Sequence, residues 1–149
     1  MINIGLISDT HGRINEDWKK HFEKCDYLFH MGDLDDEEAY DWFMELGLPT
    51  YIVRGNCDRG YWAEYIPDTM KVPVGGKLFL LIHNRTYLPW DMEDIDFVIF
   101  GHTHIPADEI HDGIRFINPG SAENDRGAGH TMAILHLEGD ECSVEEIIL

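Results

Sequence analysis

The first twelve residues constrain the fold of this chain more than any other stretch. The apolar residues of the segment 2–7 predict a short strand that is buried on both faces. This strand runs directly into Asp9 and His11, whose side chains point the same way in an extended segment because alternate residues share a face. A carboxylate and an imidazole at one strand end are half of a divalent metal site. The pair is a weak signal alone, since an aspartate at a strand end usually serves a turn or a helix cap.

The first half of the chain alternates strand patterns with helix patterns. Apolar runs predict strands at residues 2–7, 26–31 and 51–53. Between them, apolar residues recur at the helical period in residues 14–25 and 35–46. We expect Asn15 to cap the first helix, and either Asp35 or Asp36 to cap the second. This order predicts a parallel sheet, and ligands of such sheets collect at the carboxyl ends of the strands.

The second half of the chain has the pattern of hairpins. Three glycine-containing turns lie between apolar runs: Gly75-Gly76, Asp112-Gly113 and Gly139-Asp140. A further buried strand is predicted at residues 97–100, whereas residues 61–69 and 86–94 predict only loops or short helices. We therefore expect an α/β fold in which two mixed β-sheets pack as a sandwich flanked by helices, with residues 1–149 forming a single domain.

Residues of metal-ligand type follow five of the predicted strands. They are Asp9, His11, Asp33, Asn56, His83, His102 and His104. Imidazole nitrogens with carboxylate and amide oxygens suit Mn, Fe, Ni or Zn better than Ca. Any one of these histidines would more often be structural, but their joint occurrence at strand ends favours a metal site. Seven ligands are too many for one tetrahedral zinc and about right for two ions that share a carboxylate. Two ions roughly 3.5–4 Å apart can activate water for displacement at phosphorus.

These motifs resemble the signature of calcineurin-like metallophosphoesterases. The resemblance covers nearly the whole chain and is carried, in order, by Asp9-x-His11, Gly32-Asp33, Gly55-Asn56, His83 and Gly101-His102-x-His104. The segment Asn118-Pro119-Gly120-Ser121 resembles the small bacterial and archaeal phosphodiesterase branch of this family. The resemblance implies that one ion is held by Asp9, His11, Asp33 and His104. It implies that the other is held by Asp33, Asn56, His83 and His102, so that Asp33 bridges the two.

The resemblance also implies an activity. It implies a metal-dependent phosphoric ester hydrolase, a phosphodiesterase rather than a phosphomonoesterase, that acts on small phosphodiesters or activated phosphoesters. The nucleophile would be a hydroxide that bridges two divalent ions, whether Mn, Ni, Fe, Zn or Mg. Asn56 and Asp58 are expected as catalytic residues, Asn56 by orienting a phosphoryl oxygen. Asp58 would orient a neighbouring group or, alternatively, cap the following turn.

Two positions depart from the family pattern. Cys57 stands where many family phosphatases have a histidine that is thought to protonate the leaving group. A thiol has a reference pKa of about 8.5 and is a poor acid at neutral pH, so leaving groups that need little protonation are favoured. Asn84 stands where the family usually has glycine, and asparagine tolerates positive φ better than other non-glycine residues. Arg85 follows it, where a histidine is common.

Charge and composition limit the partners. The formal net charge of −18 disfavours a nucleic acid or an anionic membrane as partner. No signal peptide or membrane-spanning run is apparent, so we expect a cytoplasmic protein and leave the oligomeric state open. The same charge argues against a nuclease of this superfamily. The main alternative to an enzyme is a non-catalytic interaction scaffold, since a subunit of the endosomal retromer uses this fold with an incomplete metal site.

Two further residues, His30 and Arg126, each allow more than one interpretation. His30 could orient a metal ligand through a hydrogen bond or simply pack in the core, with both equally favoured. Arg126 could contact a substrate phosphate, but a solvated loop arginine is favoured.

Overall fold

The computed structural model describes residues 1–123, 127 and 129–149. The strands in this part of the chain are β1 (Ile2–Ile7), β2 (Tyr27–His30), β3 (Thr50–Ile52), β4 (Thr69–Val74), β5 (Lys77–Ile82), β6 (Phe97–Ile99), β7 (Ala107–His111), β8 (Ile114–Asn118), β9 (Thr131–Glu138) and β10 (Glu141–Ile148). The α-helices are α1 (Lys19–Phe22) and α2 (Glu37–Met44), and short 3-10 turns lie at Glu16–Trp18, Tyr61–Ala63 and Arg85–Tyr87. Arg126, discussed above, lies outside the described residues.

The strands form two mixed sheets. The first has the order β10-β9-β1-β2-β3, and the second has the order β4-β5-β6-β8-β7. In the first sheet β1, β2 and β3 are parallel, as the alternation of strands and helices predicts, and β9 pairs antiparallel to β1. In the second sheet β5, β6 and β8 are parallel, and the outer strands are antiparallel to their neighbours. The predicted pair of mixed sheets is confirmed.

Apolar side chains from the inner faces of both sheets make the central core. Phe29 of β2 meets Phe79 of β5 edge-on, with ring centroids 5.6 Å apart, and Phe79 stacks on Phe97 of β6 at 4.6 Å. Ile4 and Leu6 of β1 are fully buried in the same cluster. Burying each such side chain contributes about 1.5–3 kcal/mol. This packing fixes the ends of β1, β2 and β3 relative to those of β5 and β6.

The outer faces of the two sheets are covered differently. Trp18, Phe22 and Phe43, from the two helical segments, pack on the outer face of the first sheet. The outer face of the second sheet is covered by the irregular segment 84–96, whose Ile95 belongs to a buried cluster with strand residues. Helices therefore flank one sheet, while the other is covered by a loop segment that contains one 3-10 turn.

The helix predicted over residues 14–25 is largely replaced by tight turns. Hydrogen bonds reach back three residues at both ends, from Trp18 N to Asn15 O and from Cys25 N to Phe22 O, so only four residues are α-helical. The caps are as predicted, since the side chains of Asn15 and Asp36 accept from the first turns of their segments. Asp36, not Asp35, caps α2. Within the described ranges, every helix is too short to span a bilayer.

Candidate metal centre

The seven predicted ligands meet at one edge of the sandwich because each follows the carboxyl end of a strand. Asp9 and His11 follow β1, Asp33 follows β2, Asn56 follows β3, His83 follows β5, and His102 and His104 follow β6. Five of them have a positive φ: Asp9 (54°), His11 (46°), Asp33 (63°), His102 (72°) and His104 (64°). Such backbone costs about 1–3 kcal/mol per residue and clusters at functional sites. The sharp turns aim these side chains at a common point.

The two aspartates are each anchored by one oxygen. Oδ2 of Asp9 accepts hydrogen bonds from the Ser8 hydroxyl at 2.6 Å and from the backbone N–H of His102 at 3.0 Å. Oδ1 of Asp33 accepts from the backbone N–H of Cys57 at 2.9 Å. Both residues are buried, with exposed fractions of 0% and 2%. The second oxygen of each carboxylate is thereby turned toward the histidines.

The histidine nitrogens surround these two free oxygens. Nε2 of His104 lies 3.2 Å from Asp9 Oδ1, and Nε2 of His83 lies 3.3 Å from Asp33 Oδ2. Nε2 of His11 lies 3.9 Å from both oxygens. His11 and His104 also face each other through their Nε2 atoms at 3.3 Å. Nε2 of His83 also lies 3.9 Å from Asp9 Oδ1, so each of the two free oxygens lies between His11 and His83.

Hydrogen bonds on the far side of the rings set which nitrogen faces the centre. Nδ1 of His83 donates to the backbone carbonyl of Met31 at 2.7 Å, which leaves Nε2 unprotonated in the neutral ring. Nδ1 of His11 lies 3.1 Å from Asp35 Oδ2, an arrangement common behind metal-bound histidines. His102 instead presents Nδ1, which lies 3.3 Å from His83 Nε2 and 3.2 Å from Asn56 Oδ1.

The arrangement fits divalent metal ions. Donor atoms of Asp9, His11 and His104 converge closely enough to hold one ion, and those of Asp9, Asp33 and His83 also converge. Asp9 Oδ1 is buried, yet no described residue forms a hydrogen bond with it. A buried carboxylate oxygen without a donor is costly unless a cation compensates it. The outer part of the cluster, with Asn56 exposed and His102 half-buried, leaves room for a substrate.

Without metal, the negative charges of Asp9 and Asp33 favour protonation of His83. Burial alone would lower the pKa of His83, but hydrogen bonding and proximity to Asp33, together with Asp9, hold it above the ordinary histidine value. Burial likewise opposes ionisation of Asp33, but His83, the Cys57 N–H and His11 keep its pKa well below the usual range. These opposite shifts favour an ion pair between His83 and Asp33 in the metal-free protein, and a metal that binds His83 must displace its proton.

The ion pair predicts how the stability of the metal-free protein depends on pH. The depressed pKa of Asp33 contributes stability above about pH 4 that is lost as pH falls through the folded value. The raised pKa of His83 contributes stability below about pH 6.5 that is lost as pH rises through its folded value. With chelator present, the free energy of unfolding of wild type minus that of His83→Gln should therefore fall as pH rises from 6 to 9. Urea unfolding measures it, and a difference constant from pH 5 to 9 would contradict the ion pair.

Asp58 holds the loop that carries Asp33. Its buried carboxylate accepts four backbone N–H groups: Asp33 (2.9 Å), Leu34 (2.8 Å), Asp35 (3.0 Å) and Gly55 (2.7 Å). Both oxygens are thus occupied by the loops after β2 and β3. These are the contacts of a positioning residue, the first of the two roles considered for Asp58.

Glycines at two of the motifs allow the close approach of these loops. A Cβ on Gly55 would clash with the carboxylate of Asp33, and a Cβ on Gly101 would clash with the Ser8 hydroxyl and the carboxylate of Asp9. The glycine that precedes Asn56 and the one that precedes His102 are therefore required by packing against the two aspartates.

Other residues behind the centre include some that the sequence did not reveal. Ser8 was not singled out and Asp35 was considered only as a helix cap, because a hydroxyl before a ligand and an aspartate near a helix start have no distinctive spacing. His30 is fully buried against Phe43, accepts from Gly32 N at 3.0 Å and bonds the Thr10 hydroxyl at 3.0 Å, so it packs in the core and bonds neighbours of the predicted ligands. Burial lowers the pKa of His30 to about 3, so the ring is neutral.

The NPGS motif supports the loop after β6. The Asn118 side chain donates to Gly101 O and to the Thr103 hydroxyl, each at 3.0 Å. The Ser121 hydroxyl donates to Asp9 O at 2.8 Å. The motif therefore joins the loops after β1 and β6, and its role is to position the ligands.

The positions that depart from the family pattern have distinct surroundings. Asn84 has φ −119°, not a positive value, and its side chain caps the 3-10 turn by accepting from Thr86 N at 3.0 Å. The guanidinium of Arg85 lies over the rings of Phe100 and Phe116 and 3.5 Å from the carboxylate of Glu109. Cys57 is exposed, and partial burial together with nearby carboxylates, chiefly that of Asp33, raises the pKa of its thiol to about 11.

Comparison with known proteins gives the same family. Residues 2–140 match the calcineurin-like phosphoesterase superfamily domain. The chain is 30% identical, over 158 aligned positions, to the probable metallophosphoesterase YsnB of Bacillus subtilis, covering 96% of this chain and 89% of that protein.

Two solved structures share the fold. Vps29 from Entamoeba histolytica is 23% identical with a TM-score of 0.80, covering 97% of this chain and 91% of that one. An archaeal phosphodiesterase is 24% identical with a TM-score of 0.77, covering 98% and 100%. The match to the family extends from β1 to the turn before β10 and includes all seven residues of the centre, so this chain belongs to the calcineurin-like phosphoesterase superfamily.

Proposed function

We propose that this protein is a binuclear metal-dependent phosphodiesterase that hydrolyses small phosphodiesters or activated phosphoesters. The observation that carries the proposal is the pair of anchored carboxylates, each with one oxygen aimed at histidine nitrogens 3.2–3.9 Å away. Asp9, His11, Asp33 and His104 would hold one ion, and Asp33, Asn56, His83 and His102 the other. Mn, Ni, Fe, Zn and Mg are all compatible with this donor set. Bound ions would supply an activated water and neutralise charge on the phosphoryl oxygens.

The residues of the chain would position the substrate around this centre. Asn56 is exposed, and its Oδ1 lies 3.2 Å from His102 Nδ1 while Nδ2 lies 3.5 Å from Cys57 Sγ. When Oδ1 is used as a ligand, the Nδ2 donor remains available for a phosphoryl oxygen. Asp58 would act indirectly by holding Asp33 in place. Cys57 stands at the position of the histidine that is thought to protonate the leaving group in many related phosphatases. Its exposed thiol is a poor proton donor at neutral pH.

This chemistry predicts a preference for good leaving groups. With Mn, Ni, Fe, Zn or Mg added to chelated protein, bis(4-nitrophenyl) phosphate should be hydrolysed much faster than dialkyl phosphates, because an aryl oxide leaves without a proton. The assay is release of nitrophenolate, together with a phosphate-release assay for the alkyl esters. His83→Ala serves as the control for contaminating hydrolases, since it removes a ligand.

The same assay separates the enzyme from the scaffold. A scaffold of this fold would give wild-type rates equal to those of His83→Ala for every ester, even when elemental analysis shows that metal is bound. Such a result, with both ions present, would overturn the proposed function.

A further inference from the structure

A large cleft opens beside the candidate metal centre. Its volume is about 1030 Å³, and Asn56, His83 and His102 line part of it. Small-molecule sites usually have volumes of about 300–1,000 Å³, so the cleft has room for much more than a phosphate group. The space beyond the centre is available to the organic arm of an ester.

Two exposed tyrosines line this cleft, one from each of the segments that border it. Tyr61 is 91% exposed and Tyr87 is 75% exposed. Among the described residues, no other aromatic ring stacks on either of them, whereas Tyr40 and Tyr51 are half-buried against neighbouring rings. Aromatic side chains beside a cleft offer a stacking surface for planar groups.

Arg59, which has no carboxylate partner among the described residues, lies in the same cleft. Arg59 is exposed, and its Nε donates to the carbonyl of Asn56 at 3.3 Å. The other described arginines each lie within 3.5 Å of a carboxylate: Arg13, Arg54, Arg85 and Arg115. In a chain with 29 acidic and 11 basic residues, a guanidinium left unpaired beside the centre is available to an anionic ligand. Because Arg59 is hydrogen-bonded to Asn56, its guanidinium lies close to the place where a phosphoryl group would bind.

The acidic residues of the cleft limit the charge of the rest of the ligand. Glu64 and Asp68 also line the cleft, and Asp68 is the only one of them with an arginine partner, Arg54. Their charges would repel additional phosphates on the ester arm. Asp58 is the third carboxylate of the lining, and its oxygens accept backbone N–H groups, so Glu64 and Asp68 are the ones that face the ester arm together with one available cation and two stacking rings.

We infer that this cleft binds an uncharged aromatic arm of the substrate, stacked on Tyr61 or Tyr87, while Arg59 contacts the phosphoryl group. The inference rests on the proposed function for the phosphoester itself. It specifies the substrate class as phosphoesters of a nucleoside or of another aryl-bearing alcohol, and it excludes arms that carry further phosphates. Tyr61 and Tyr87 are in this view specificity-determining residues.

Binding of neutral probes tests the subsite without metal or hydrolysis. Adenosine and benzyl alcohol, added in millimolar amounts to the metal-free protein, should shift the backbone amide NMR signals of residues 59–61 and 84–87. Shifts with both probes indicate a general aryl subsite, and shifts with adenosine alone indicate a nucleoside subsite. The double variant Tyr61→Ala/Tyr87→Ala should lose these shifts, whereas Tyr61→Phe/Tyr87→Phe should retain them because the rings remain.

Tyr65→Ala is the matched control. Tyr65 is 90% exposed and lies in the same segment as Tyr61 but is not among the residues lining the cleft. Its replacement should leave probe binding unchanged. Absence of shifts with wild-type protein, or equal shifts in wild type and the double alanine variant, would overturn the subsite. The absence of shifts together with a dimer that dissociates in the double variant would assign the tyrosines to contacts between copies instead.

Kinetics then separates this inference from the proposed function. The double alanine variant should lose roughly five- to hundredfold in kcat/KM for an aryl or nucleoside ester, the usual effect of removing a stacking partner, and little for dimethyl phosphate. Hydrolysis by wild type with equal losses for both esters would overturn the subsite and leave the phosphodiesterase standing. Probe shifts at the tyrosines without turnover of any ester would overturn the phosphodiesterase and leave the aromatic subsite standing.

Discussion

Replacing Asp33 by asparagine is expected to remove most of the bound metal and most of the hydrolytic activity. Its Oδ2 lies 3.3 Å from His83 Nε2 and 3.9 Å from His11 Nε2, two residues that the proposed function assigns to different ions. Loss of a residue behind a metal ligand weakens binding by about 10–100-fold, and loss of a shared ligand should exceed this. We expect close to two equivalents of transition metal in reconstituted wild type and less than about one in Asp33→Asn. Hydrolysis should fall by at least about 10²–10³-fold, the effect of removing one group that stabilises the transition state.

Two further variants make this measurement specific. His11→Ala should lose less metal than Asp33→Asn, since His11 is expected to contact only one ion. Asp140→Asn makes the same change of charge in the turn between β9 and β10, where Asp140 is 96% exposed in its side chain, and should bind metal as wild type does. Elemental analysis after gel filtration gives the stoichiometry. Equal metal content in Asp33→Asn and Asp140→Asn would show that Asp33 is not a shared ligand.

Replacing Asp58 by alanine is expected to be the most destabilising change at this edge of the sandwich. The substitution leaves four backbone N–H groups without their acceptor, on Asp33, Leu34, Asp35 and Gly55. Hydrogen bonds to a charged group contribute about 1.5–3 kcal/mol each, and water entering the space would replace part of them. We therefore expect the free energy of unfolding to fall by about 3–5 kcal/mol in the metal-free protein.

The metal affinity of Asp58→Ala tests whether Asp58 holds the metal ligands in position. The carboxylate of Asp58 accepts hydrogen bonds from backbone N–H groups in the loops after β2 and β3. Asp58→Ala removes no predicted ligand, but it should weaken metal binding by about 10–100-fold because these loops are no longer held in place. Asp68→Asn is the control, because Asp68 is 76% exposed in its side chain and its pair with Arg54 should contribute less than about 1 kcal/mol. Urea unfolding with chelator measures stability, and metal titration measures affinity. An Asp58→Ala protein as stable as Asp68→Asn would contradict the role of the four hydrogen bonds.

The sequence was sufficient for the strands and the two sheets, and it also indicates which residues the structure brings together at one edge. Buried strands such as β1 are visible as apolar runs, and turns such as Asp112-Gly113 are visible because few residues adopt the required positive φ, here 51° and 79°. Parallel strands direct their carboxyl ends to one edge, so the sequence alone predicts that Asp9, His11 and Asp33 lie together. The helix over residues 14–25 was predicted less well, because periodicity does not distinguish an α-helix from a chain of 3-10 turns that buries the same side chains.

Only the tertiary structure decided how the ligands are held. Which oxygen of Asp9 faces the histidines depends on the Ser8 hydroxyl and the His102 N–H, and His102 lies 93 positions away in the chain. That Asp58 holds the loop of Asp33, and that Asn84 caps a turn instead of adopting positive φ, are likewise results of contacts between separate segments. Local sequence specifies residue types and strand direction, because these depend on side-chain hydrophobicity and backbone preference. Hydrogen-bond partners across loops depend on how the two sheets pack, and this is set by the core between them, through contacts such as Phe29 on Phe79.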